Sequence, residues 1–117
     1  MTNPDPYAPV HKFLAVVKGK YKLPILIYLK YGPRRYSQLH HRLAGASERI
    51  LIKQLRELEH AGILQKTITG IKAPLRVEYS LTDYGFTLCS VVQQMWEWGE
   101  HTLREEAVKA GVDAGKK

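Results

Sequence analysis

The run Ser47-Glu48-Arg49-Ile50-Leu51-Ile52-Lys53-Gln54-Leu55-Arg56-Glu57-Leu58-Glu59-His60-Ala61-Gly62 continues as Ile63-Leu64-Gln65-Lys66-Thr67-Ile68-Thr69, and between the two halves the hydrophobic period changes from 3.6 to 2. The first half predicts a helix over about Glu48 to Ala61. Ser47 is an N-cap residue type, Glu48 places an acid in the first turn, and Gly62 marks the stop. Ile50, Leu51, Leu55 and Leu58 form its apolar stripe. At roughly 100° per residue the opposite face carries Arg49, Ile52, Lys53 and Arg56, three cations with one apolar member expected to be exposed among them. The second half alternates and is matched by Leu75-Arg76-Val77-Glu78-Tyr79-Ser80-Leu81 across Gly70 to Pro74, which predicts a β-hairpin.

Upstream, Val10, Phe13, Leu14 and Val17 recur at i, i+3, i+4 and i+7, one stripe of a short helix ended near Gly19. Lys20 to Tyr31 is apolar on most faces, reads as a buried helix with Pro24 in its first turn, and stops at Gly32-Pro33. Tyr36-Ser37 opens a third helix of barely two turns through Leu39 and Leu43, with Ser37 as its N-cap and Gly45 as its stop. Downstream, Thr82 caps a long helix over roughly Asp83 to Ala107. Its apolar positions, Leu88, Val91, Val92, Met95, Trp96, Trp98 and Leu103, spread over more than one face. One face packs at home and the other needs a partner, for which the stripe of the first helix is a match.

With 117 residues the chain is read as one domain. Residues 1–7 are expected to be a flexible N-terminus, 8–107 the domain with its dimerisation helices, and 108–117 a flexible tail. A composition of 44% apolar and 25% charged residues excludes wholesale disorder. The longest strongly apolar stretch, Leu23 to Leu29, is far short of the ~20 residues that cross a membrane. Met1 to Pro9 is polar and proline-broken rather than a signal sequence, so a cytoplasmic location is expected. The single cysteine, Cys89, excludes an internal disulfide and the cysteine-based zinc folds, and reads as a small apolar filler. The five histidines show no ligand spacing, no catalytic motif is present, and neither a metal, a cofactor nor an enzymatic activity is expected.

The net charge of +7 is distributed unevenly. Lys18 to Arg56 holds Lys18, Lys20, Lys22, Lys30, Arg34, Arg35, Arg42, Arg49, Lys53 and Arg56 against the single acid Glu48, whereas the chain from Glu57 onward is net acidic. A polyanionic partner would therefore meet the middle of the chain. Three helices, the charged one last, followed by a hairpin with Lys72 in its turn, make the layout of a winged helix-turn-helix. The fold class is α+β, mostly α, with N- and C-terminal dimerisation helices. A helix can enter the DNA major groove while a basic hairpin reaches an adjacent groove or the phosphates. The Ala44-Gly45-Ala46 turn is as short as a helix-turn-helix requires.

The chain resembles the HxlR family of bacterial and archaeal transcriptional regulators, relatives of the MarR-type winged helices. Four stretches carry the resemblance: Gly19-Lys20-Tyr21; Gly32-Pro33-Arg34-Arg35-Tyr36-Ser37-Gln38-Leu39; Ser47 to Leu51 with Gln54 to Glu59 and Gly62-Ile63; and Val77 to Thr82 with Gly85. Trp98-Gly99 extends it, so that it spans about Pro9 to His101. It implies a sequence-specific homodimer, a repressor or activator, whose first and last helices form the dimer interface. The residues on those helices are Val10, Phe13, Leu14, Val17, Leu88, Val91, Val92, Met95 and Trp98. The chain departs from the family pattern at Ala8, where members usually carry a cysteine that some use to sense electrophiles or oxidants, and Cys89 does not replace it. Tyr21 stands where tryptophan is common and Gln38 where glutamate is common.

The residues expected to meet double-stranded DNA are Arg34, Arg35, Ser47, Arg49, Ile52, Lys53, Arg56, Lys72 and Arg76. Arg49, Lys53 and Arg56 suit phosphates or base edges, Ser47 a phosphate, and Ile52 a thymine methyl. Arg34, Arg35, Lys72 and Arg76 suit phosphates that fix register, although one of each pair can instead serve the fold, Arg76 by pairing with Glu78 or Asp83. His40 and Arg42 are further backbone contacts, and Gln54 could read adenine from the side of its helix. A repressor is preferred over an activator because so small a chain has little surface left for recruiting polymerase. Two other classes fit the same charge pattern: a winged-helix module for an acidic protein partner, and a non-specific nucleoid-associated DNA binder. A small-molecule effector is left open, since nothing in the sequence identifies one.

Overall fold

The computed structural model describes residues 4–111; the outermost residues of both the expected flexible N-terminus and the tail lie outside them. Helices α1 (Ala8–Val17), α2 (Lys22–Leu29), α3 (Tyr36–Arg42) and α4 (Glu48–His60) precede the hairpin of β2 (Leu64–Thr69) and β3 (Arg76–Leu81). A two-residue strand, β1 (Arg34–Arg35), lies between α2 and α3, and helices α5 (Asp83–Phe86) and α6 (Cys89–Lys109) close the chain. The sheet is antiparallel in the order β1-β3-β2, with Arg34 opposite Tyr79 and Leu64 opposite Leu81. This is a winged helix-turn-helix: α3 and α4 are joined by a short turn, and the hairpin is the wing.

The core forms where the apolar stripes converge. Ile25 and Leu29 from α2, Leu39 from α3, and Leu51, Leu55 and Leu58 from α4 are fully buried, together with Ile63 at the entrance to β2. Each such side chain contributes about 1.5–3 kcal/mol relative to exposure. The stripe of α4 is narrower than its sequence suggests. Ile50 and Ile52 lie roughly 100° to either side of Leu51, so Ile50 is exposed and Ile52, expected among the cations, is half-buried.

Three local features differ from the sequence expectations. Arg35, not Ser37, occupies the N-cap of α3, and its N–H donates to Gln38 Oε1 at 2.9 Å. Gln38 thus supplies the reciprocal half of a capping box, a role a glutamate fills equally well. The long helix expected from Asp83 is interrupted. Thr87 N–H bonds Tyr84 O and Leu88 N–H bonds Gly85 O, two i→i−3 bonds that tighten the backbone between α5 and α6. The corner before it is fixed by Thr82, whose hydroxyl donates to Gly62 O at 2.6 Å and accepts from Gly85 N–H at 2.9 Å. Gly85 packs on the Ile63 carbonyl so closely that a Cβ would collide with it. Finally, α6 continues to Lys109, beyond the expected end at Ala107.

The outer helices are arms rather than core. Val17 alone is buried on α1, and Val92 alone on the 21 residues of α6. The radius of gyration is 17.7 Å, against about 13 Å for a compact chain of this length.

Candidate nucleic-acid interface

Because α4 buries Leu51, Leu55 and Leu58, helical geometry turns Arg49, Lys53 and Arg56 outward, and all three are exposed. Ser47 Oγ accepts the Ile50 N–H at 3.2 Å, which caps the helix and leaves the hydroxyl proton available to an acceptor. Lys53 Nζ lies 4.0 Å from Glu57, a distance at which the exposed ammonium is loosely held. Around Lys53 a groove of about 750 Å³ also gathers Lys12 from the middle of α1 and Lys18 from its C-cap. Their proximity to α4 follows from the packing of α1 and has no local sequence signal.

A second groove, of about 410 Å³, separates the start of α3 from the turn end of β3, and brings together Arg35, Ser37 and Arg76. With Arg35 at the cap, Ser37 lines this groove beside two arginines, and a hydroxyl with two guanidinium groups suits a phosphate. Arg76 makes no ion pair with Glu78 or Asp83 among the described residues, so its guanidinium is not spent on the fold. Lys72 stands exposed in the wing turn, beside a fully exposed Ile71.

Other cations of the basic segment lie against the rest of the fold. Arg34 is half-buried, with its guanidinium carbon 4.8 Å from the Tyr28 ring centroid; Arg42 approaches the same centroid to 4.9 Å. Of the Arg34-Arg35 pair, Arg34 is the one that serves structure. Lys22 is buried and lies 2.9 Å from Glu57 Oε1. Hydrogen bonding from Lys22 holds the Glu57 carboxyl below its ordinary range despite partial desolvation. His40 stacks on Tyr36 at 5.8 Å between centroids. Burial, reinforced by the nearby negative charge of Glu48, raises the Tyr36 phenol above its usual pKa. Gln54 is not free to read a base, because its Oε1 accepts the Tyr21 N–H at 2.9 Å.

The expected dimer residues divide in two. Val92 belongs to the core, Leu88 packs against it, and Val17 is buried. Phe13 is half-buried. Val10, Leu14, Val91, Met95 and Trp98 are exposed, Trp98 at 71%, and Trp96, Leu103 and Val108 are further exposed apolar side chains at other angles around α6. Patches of this kind on a small domain mark an interaction surface. Among the described residues no group of His, Cys, Asp and Glu is arranged to hold a metal ion, and no helix is long and apolar enough to cross a membrane.

A model of the HxlR-like helix-turn-helix family matches residues 16–107. The chain is 39% identical over 92 residues to the HTH-type transcriptional regulator YybR of Bacillus subtilis (strain 168), covering 79% of this chain and 73% of that protein. It is 33% identical over 97 residues to the HTH-type regulator YtfH of Escherichia coli (strain K12), covering 83% and 76%. Among solved structures, the redox regulator HypR in its reduced form matches with a TM-score of 0.79 at 35% identity, over 87% of this chain and 98% of that one.

Proposed function

The chain belongs to the HxlR-like helix-turn-helix family, whose curated members are described as transcriptional regulators, and from that membership we propose that it is a sequence-specific, homodimeric repressor of transcription. The observation that carries the reading is the outward face of α4. It presents Arg49, Lys53 and Arg56 opposite a buried leucine stripe, on a helix capped by Ser47. Two arginines and a lysine on an exposed helix face can reach guanine O6 and N7 in the major groove. Arg35, Ser37 and Arg76 hold a backbone phosphate beside that helix, and Lys72 a second one from the wing tip.

The dimer brings two copies of α4 to one face through α1 and α6, whose exposed Leu14 and Trp98 support that role. The operator is then a pseudo-palindrome with half-sites about 34 Å apart. The protein works in the cytoplasm, where the DNA is. HypR is described as a redox regulator; here Ala8 stands at the family's usual thiol position, and no redox role is assigned.

The test is fluorescence anisotropy on the DNA upstream of the protein's own gene beside a shuffled duplex, from 50 to 300 mM salt. A preference of ~10³-fold or more at physiological salt supports a specific regulator. Equal, steeply salt-dependent binding to many natural promoters and to shuffled DNA overturns specificity in favour of an architectural role.

A further inference from the structure

Between α2 and the start of α6 lies a cavity of about 290 Å³ that neither the DNA-facing surface nor the exposed arms account for. Its apolar walls are Leu26, Leu88, Val92 and Trp96, and the charged groups that line it are Lys30 and Arg42, with no carboxylate. Its size is at the lower end of small-molecule pockets, and apolar walls with a few convergent polar groups are the usual character of such sites.

The charges in its wall are not neutralised from within. Lys30 Nζ donates to Gln93 Oε1 at 2.8 Å, which engages one of three ammonium protons. Glu97 accepts from Gln93 Nε2 at 3.0 Å and forms no ion pair with Lys30. Arg42 rests against Tyr28 without an acid. An adjoining cavity of about 410 Å³ shares Arg42 and Trp96 and adds Arg34, again with no carboxylate in its lining. Arg34 Nε is buried there with no hydrogen-bond acceptor. A buried donor without an acceptor is costly, and two guanidinium groups on one tyrosine ring repel each other. An anionic group on Arg42 offsets that repulsion, while the enclosed Arg34 Nε lies outside its reach.

We propose that the cavity binds a small amphipathic anion, an aromatic or compact aliphatic carboxylate, with its hydrocarbon body between Leu26, Leu88 and Trp96 and its carboxylate on Arg42 and Lys30. A bidentate guanidinium contact favours a carboxylate over a neutral ring of the same size. The ligand joins α2, which carries α4 on its other side, to α6, the arm of the proposed dimer. It is therefore placed to alter the spacing of the two reading helices. That effector role rests on the DNA-binding reading above; the binding itself does not.

The experiment uses the purified full chain without DNA and three probes of one shape: 1-naphthoate, the neutral 1-naphthalenemethanol and the cationic 1-naphthylmethylamine. Affinity is read by calorimetry. Occupancy is read by the rate of Cys89 alkylation with iodoacetamide, because Cys89 is the sole cysteine and sits in the cavity wall. The expected result is ~10-fold tighter binding of naphthoate than of either analogue, together with protection of Cys89. Arg42→Gln and Lys30→Gln each remove most of that preference while leaving the neutral probe unaffected. No binding, equal binding of the three probes, or undiminished alkylation at saturating naphthoate overturns the proposal. A partner arm filling the cavity would give the first of these. Since no DNA is present, failure here leaves the operator experiment untouched, and failure there leaves this site standing. If both hold, naphthoate shifts operator affinity in the parent protein and not in Lys30→Gln.

Discussion

The Lys22 ammonium lies 2.9 Å from a Glu57 carboxylate oxygen, tying the first turn of α2 to the third turn of α4. Lys22 is almost fully enclosed, whereas Glu57 keeps 44% of its side chain exposed. The pair therefore anchors α4 from its solvent edge rather than from the core. The folded-state pKa of Glu57 is depressed from its ordinary value of 4.5 by this contact. A depressed carboxylate contributes stability that is present above its unfolded pKa and lost as pH falls through the folded value. Glu57→Gln is expected to lower the melting temperature at neutral pH and to flatten its fall between roughly pH 5 and pH 3. Parallel acid slopes for the variant and the parent would show that Glu57 does not carry this linkage.

The neighbouring tie between α4 and α2 is neutral. Gln54 Oε1 accepts the Tyr21 N–H, and Gly19 stands so close that an added Cβ would meet the Gln54 amide at 3.0 Å. Gly19 also has φ of 140°, where a side chain is strained. Gln54→Ala should cost about 1 kcal/mol and Gly19→Ala about 1–3 kcal/mol in urea unfolding. Neither should change which DNA sequence is preferred. A changed preference in Gln54→Ala would return that residue to the base-reading set.

What the sequence makes legible is whatever repeats. The leucines of α4 and the alternation of β2 and β3 arise from burial on one face, so the periodicity alone carries the helix-turn-helix and the wing. What it conceals depends on contacts across the chain. The two residues of β1 form a strand only because the edge of β3 is open beside them, and their pattern as Arg34-Arg35 reads simply as charge. The break between α5 and α6 follows from Gly85 meeting the Ile63 carbonyl, twenty-two positions away in sequence. A charge count likewise treats Lys22, Arg34 and Arg49 as equals. Only the fold separates the one paired with Glu57, the one laid on Tyr28 and the one left in solvent.

That separation makes the basic residues experimentally distinct. The double variant Arg49→Ala/Lys53→Ala should abolish the preference for an operator over shuffled DNA, because a lost bidentate base contact alone is worth about 1–3 kcal/mol of discrimination. Lys72→Ala, Arg76→Ala and Ser37→Ala should instead weaken all sequences alike, with Lys72→Ala and Arg76→Ala each reducing the salt slope by about 1. Arg34→Ala should show chiefly as a loss of stability. An unchanged preference in the double variant would remove α4 from the reading role.

The split among the apolar residues of α6 allows the arm and the core to be tested separately. Val92 is 6% exposed in the single chain and Trp98 is 71% exposed. If the exposed surface of α1 and α6 is where two copies meet, Trp98→Glu places a charge in the seam and should give monomers in sedimentation while the helical signal and the urea midpoint extrapolated to low protein concentration stay close to the parent's. Val92→Ala should do the opposite, costing about 1.5–3 kcal/mol of stability without changing how the folded protein assembles. Because two reading helices must be joined to span half-sites about 34 Å apart, the monomeric variant should also lose operator affinity at physiological salt, even though its α4 is intact. A dimer that survives Trp98→Glu and Leu14→Glu together would place the contact elsewhere on the chain.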